Sequence, residues 1–128
     1  MRQEVGGQGQ ELDRAVREFN RREWFECHET LEELWIGASG ERRDFYQGFL
    51  QLAVALHHWR NGNFKGALIL LRGGCGLLSR VADVLEGVDV AGLIVAAGLL
   101  EAELAVLGEE RMAEVPERLI FKAHRHSS

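Results

Sequence analysis

A single proline stands in this 128-residue chain, at position 116, so nothing forces a backbone break over most of its length. Apolar residues recur at helical spacing, and no segment alternates with a period of two, so no sheet is expected. The spacing predicts a first helix over about Glu11 to Phe19, with Leu12, Ala15, Val16 and Phe19 on one face. A second runs from about Glu23 to Trp35, and Gly37 to Gly40 form the loop after it. The third, roughly Glu41 to Arg60, is apolar nearly all round through Phe45, Phe49, Leu50, Leu52, Val54, Leu56 and Trp59. A helix without a polar face is covered by its neighbours, so the third helix is expected to be central. Asn61-Gly62-Asn63 reads as a stop and restart, with Asn63 capping a fourth helix that continues towards Leu85 and ends at Gly87. Gly73, Gly74 and Gly76 interrupt it at about 1 kcal/mol each against alanine, which calls for a kink or a closely packed neighbouring backbone. Asp89 caps a fifth helix through Ala91, Leu93, Leu99 and Leu104 to Leu107. The expected fold is therefore all-α, a single compact bundle of about five helices. A flexible segment occupies 1–10, the helical domain 11–121, and a polar tail 122–128 that frays after a docked stretch from Leu119 to Phe121.

Length and composition bound the function. Apolar residues make up 46% and charged residues 27%, a globular balance for one domain. A formal net charge of −5 argues against nucleic acid and anionic lipid as partners, because both favour a positive face. Cys27 and Cys75 form no metal-ligand pair and are too few for a secreted scaffold of this size, which points to a reducing, cytoplasmic setting. The polar, Gly-rich start lacks the basic and apolar regions of a signal peptide. Apolar stretches are broken by Arg72, Ser79 or Glu101, short of a membrane span. No cofactor is predicted.

One polar constellation stands out. On a helical wheel, Trp24, His28, Leu31 and Trp35 share a narrow stripe of the second helix, with Glu32 at its edge one turn after His28. Glu26, Glu29 and Glu33 fall on the far side. A buried imidazole needs partners, and the third helix offers Gln47, Gln51 and His58 along one side, with His57 pointing elsewhere. Which of His57 and His58 faces the core depends on the phase of that helix. Beside the Gln51 side, Gly48 and Ala55 form a small-residue column that lets another helix approach, leaving room for a homo-oligomer. Three readings compete: a hydrogen-bonded network that fixes packing, a divalent metal site using His28, Glu32 and His58, and an acid–base pair in a pocket. The structural reading carries most weight. His28-Glu29-Thr30-Leu31-Glu32 has glutamate where a zincin helix needs its second histidine, and no Glu-x-x-His of the di-iron bundles occurs on either helix. Cys27 reads as a buried, inert thiol. Gly73-Gly74-Cys75-Gly76 lacks the Lys-Ser/Thr and the strand of a phosphate loop.

These residues also carry a resemblance. Phe19-Asn20, Phe25-Glu26-Cys27-His28-Glu29, Leu31-Glu32 and Trp35, then the block from Phe45 to Ala53, His57-His58, Gly62-Asn63 and Gly66-Ala67 resemble the motifs of the family called domain of unknown function 309. Gly87-Val88-Asp89-Val90 and Pro116 resemble its tail, so the likeness spans about residues 12 to 120. The resemblance implies a helical fold and no established activity. It places the family's motif residues at His28, Glu29, Glu32, Trp35, Gln51, His57, His58 and Asn63. The favoured expectation is a helical binding or scaffold module whose cluster is structural or lines a pocket. Its rival is a small metal-dependent, hydrolase-like enzyme.

Overall fold

The structure, a computed structural model, describes the backbone of residues 2–126 and the side-chain surroundings of residues 9–126. Five helices follow the apolar periodicity: α1 (Arg2–Asn20), α2 (Trp24–Ile36), α3 (Gly40–Arg60), α4 (Phe64–Leu78) and α5 (Val90–Leu107). Each packs chiefly on its sequence neighbour, and α3 shares the most extensive interfaces, with α2 on one side and α4 on the other. The core runs through Phe19, Trp24, Leu31, Phe45, Phe49, Leu52, Leu56, Leu71, Leu78, Leu93, Leu100 and Leu104, all fully buried. Phe19 meets Phe49 edge-on at 5.2 Å between ring centroids, a favourable aromatic arrangement that joins α1 to the central helix.

Both expected caps form. Asn63 Oδ1 accepts from the Gly66 amide at 3.0 Å, and Asp89 Oδ1 accepts from the Gly92 amide at 2.9 Å. Gly73 and Gly74 of α4 mark close approach, while Gly76 stands in open space, and the helix runs unbroken through all three. A Cβ at Gly74 would stand 2.9 Å from the Gly48 carbonyl oxygen and 2.7 Å from Leu52 Cδ2. A Cβ at Gly48 would in turn strike Leu78. The small-residue column of α3 is thus used within the chain, by α4.

Four expectations are corrected. Helix α1 begins at Arg2, reaching into the segment expected to be flexible, because the Gly-rich start contains no proline to stop it. Helix α4 ends at Leu78 and not near Leu85. Beyond it, β1 (Val84–Leu85) and β2 (Val88–Asp89) form a small antiparallel hairpin where no strand is expected. Its two turn residues, Glu86 and Gly87, have φ of 52° and 78°, the left-handed pair that matches the twist of a two-residue hairpin. The tail does not fray after Phe121. Asn20 clasps Ala123 through both amide atoms (2.7 and 2.9 Å), the Asp89 amide donates to the His124 carbonyl (2.9 Å), and the His126 amide donates to Gly87 (2.9 Å). Arg125 adds side-chain contacts, pairing with Asp13 and donating to the Glu86 carbonyl at 2.8 Å. Ser127 and Ser128 lie outside the described residues.

A fifth correction concerns α5. Its 18 residues are apolar and long enough, by length and composition, to cross a bilayer, although Glu101 interrupts the run. Val90, Leu93, Ala97, Leu100 and Leu104 nevertheless commit one side of it to the protein core.

Candidate functional site

Helix α2 lies between α1 and α3, and this sets which of its side chains are buried. Trp24, Cys27, Thr30 and Leu31 are buried, while His28 and Trp35 are only half-buried. The buried stripe is rotated towards Thr30 relative to the wheel's prediction. The cause is a polar contact that an apolar wheel does not register: the Thr30 hydroxyl donates to Glu18 Oε1 at 2.8 Å, and Arg14 Nε donates to the other Glu18 oxygen at 3.2 Å. Burial, reinforced by the Glu18 charge, pushes the Cys27 thiol far above the ordinary cysteine range, which keeps it a protonated, unreactive group.

The histidines of α3 diverge. His58 faces the start of α4, where Asn63 Nδ2 donates to its Nδ1 at 3.2 Å and Gly66 leaves room for the ring. Gln51 faces the same helix, its Oε1 occupying space that a Cβ at Gly73 would take. Neither approaches His28. Beside His58, with its ring 6.4 Å away, His57 is the residue that belongs with His28. The Phe25 ring lies between them, 5.5 Å from His28 and 5.7 Å from His57 by centroid. The expected cluster therefore divides into an α2–α3 group (Phe25, His28, His57) and an α3–α4 group (Gln51, His58, Asn63).

Glu29 and Glu32 are exposed, and Gln47 is half-buried on α3. Trp24 is buried at the α2–α3 contact, edge-on to Trp59 and capped by the Arg60 guanidinium at 4.6 Å from its ring. Arg43 caps Trp35 in the same way at 4.0 Å. Among the described residues no three His, Cys, Asp or Glu side chains converge as metal ligands. His58 turns to Asn63 and Glu32 is exposed, so His28, Glu32 and His58 do not form that set.

The α2–α3 group has unusual polar accounts. Asn61 Nδ2 donates to His57 Nε2 at 3.2 Å, which leaves the proton of the neutral ring on Nδ1. That Nδ1, and Nδ1 of His28, are buried without a hydrogen-bond partner among the described residues. Burial first, then the positive charges of Arg60 and His58, hold His57 below the usual histidine range, with Glu26 pulling the other way. Phe25 remains 48% exposed between the two imidazoles. Sequence reasoning omits Phe25 from the site because the wheel places it off the apolar stripe. The signal it could have used is the presence of a large apolar side chain there among glutamates.

A small all-helical domain with an aromatic–imidazole patch between its second and third helices is the class that fold and site define. Residues 12–70 match the family model described as "Domain of unknown function (DUF309)", and the chain is similar to that family over this segment. The matched segment holds all of α2 and α3 and both histidine groups, while the hairpin, α5 and the tail lie beyond it. The chain is similar to the "Uncharacterized protein YpuF" of Bacillus subtilis (strain 168), with 41% identity over 86 residues, 65% of this chain and 49% of that protein. It is also similar to an "Uncharacterized protein" of Aquifex aeolicus (strain VF5), with 26% identity over 108 residues, 83% of this chain and 30% of that protein. The chain thus spans about half or less of these relatives' lengths.

Proposed function

We propose that the protein is a helical binding module whose recognition surface is the α2–α3 face around Phe25. The observation that carries this reading is the half-exposed Phe25 ring in contact with both His28 and His57. Glu26, Glu29 and Glu32 stand exposed on the same helix as Phe25. Such a face suits a partner segment carrying basic side chains, one of them stacked on the aromatic, with glutamates for the rest.

The reading is tested with an array of immobilised arginine- and lysine-rich peptides beside acidic controls, probed with the wild type and with Phe25→Ala. Retention on basic peptides that weakens with salt and is lost in Phe25→Ala supports the reading. Equal retention on acidic peptides, or retention unaffected by Phe25→Ala, refutes it.

A further inference from the structure

Helix α5 has no amphipathic pattern. Apart from Glu101 and Glu103 it is apolar throughout, yet only 28% of it is buried. Opposite its core-facing residues lies a stripe of Val95 (63% exposed), Leu99 (57%) and Val106 (78%), at helical spacings of four and seven. Ile69 of the neighbouring α4 adds a fourth large side chain, 62% exposed. Together these side chains expose on the order of 400 Å² of apolar surface, within the range of the largest apolar patch on a typical monomer, which is often functional.

Two properties of the face identify its occupant. The first is extent. Eighteen helical residues are about 27 Å long, and two adjacent helices are about 20 Å across. The resulting footprint, on the order of 500 Å² in projection and more in accessible surface, approaches the roughly 800 Å² per partner of a standard interface. The second is charge. The charged residues of α4 are Lys65 and Arg72, both basic, and those of α5 are Glu101 and Glu103, both acidic. One half of the surface is positive-edged and the other negative-edged, so the surface complements itself.

We propose that this α4–α5 face is a two-fold interface with a second copy of the chain. Within one copy α4 and α5 run antiparallel: Cys75 lies against Ile94, and Arg72 pairs with Glu101 further along. A two-fold axis parallel to these helices sets α4 of one copy on α5 of the other and preserves height along the axis. Arg72 of each copy then lies level with Glu101 of its mate, and the apolar stripe is sealed in a four-helix layer. A two-fold axis across the helices would instead oppose α4 to α4 and basic residues to basic residues. The charge pattern therefore selects the arrangement as well as the partner.

Sedimentation velocity tests the proposal, with circular dichroism to confirm that each variant folds. The wild type is expected to be a dimer, and Leu99→Lys, at an exposed position, should weaken dimerisation by about 100-fold or more because each copy would bury a lysine. Arg72→Glu and Glu101→Arg break the pair within their own chain and should each reduce self-association. Mixed together, they should dimerise, since the mixed pair alone restores opposite charges across the axis. A wild type that stays monomeric into the millimolar range overturns the proposal, whether or not it then binds lipid vesicles. A dimer unaffected by Leu99→Lys, or failure of the two charge variants to pair, overturns it as well.

Discussion

On the wheel of α2, His28 shares the apolar stripe with two tryptophans, and a buried histidine there implies hydrogen-bonded partners that its removal would orphan. The structure places it beside Phe25 and gives its Nδ1 no partner among the described residues. His28→Ala should therefore cost only the contact with Phe25, about 1 kcal/mol or a few degrees in Tm, and a loss of several kcal/mol in thermal unfolding would contradict this. Thr30→Val is the contrasting case, because it leaves the buried Glu18 carboxylate without its threonine donor and should cost about 1–3 kcal/mol. His57 titrates below 6.5, held there by burial and by Arg60. The unfolded chain binds the proton more readily than the folded one, so this residue's contribution to stability is present above about pH 6.5 and is lost as the pH falls towards the folded pKa. Arg60→Gln should raise the His57 midpoint followed by NMR, and Glu26→Gln should lower it. Residue by residue, the sequence disclosed which polar groups are rare in such helices, but not their pairing. A wheel ranks side chains by apolar character, so it is blind to a threonine buried by its hydroxyl, and a small error in phase separates His28 from His57.

The helices themselves were legible wherever a local cause sufficed. The apolar run of α3 and the caps at Asn63 and Asp89 need only spacing and a side-chain acceptor, and both caps form as expected. The glycines of α4 were legible as a choice between kink and close approach, and only the facing backbone of α3 resolves it. Gly74→Ala forces a methyl against the Gly48 carbonyl and Leu52 and should cost about 1–3 kcal/mol. Gly9→Ala, in open space on α1, should be neutral or stabilising by up to about 1 kcal/mol. Chemical denaturation of the two variants side by side checks both signs. The hairpin was not legible, because strands of two residues are too short to show alternation.

Across the whole molecule, the C-terminal segment closes the fold. Phe121 packs against Phe19 at 5.7 Å, and the residues after it join the Asn20 side chain of α1 to the hairpin backbone through hydrogen bonds. Truncation after Phe121 should lower stability by a few kcal/mol, each lost bond contributing about 1 kcal/mol, where a frayed tail would contribute nothing. The family segment, residues 12–70, stops short of this closure and of α5. The recognition face proposed on α2–α3 therefore lies within the segment shared with the family, and the apolar α4–α5 face lies largely outside it. The most direct measurement is isothermal titration of the wild type and its Phe25→Ala variant with one arginine-rich peptide. The account predicts salt-sensitive binding to the wild type, and at least about tenfold weaker binding to a variant whose melting temperature is within a few degrees of it. Equal affinity for the two proteins, or no heat of binding to either, would contradict it.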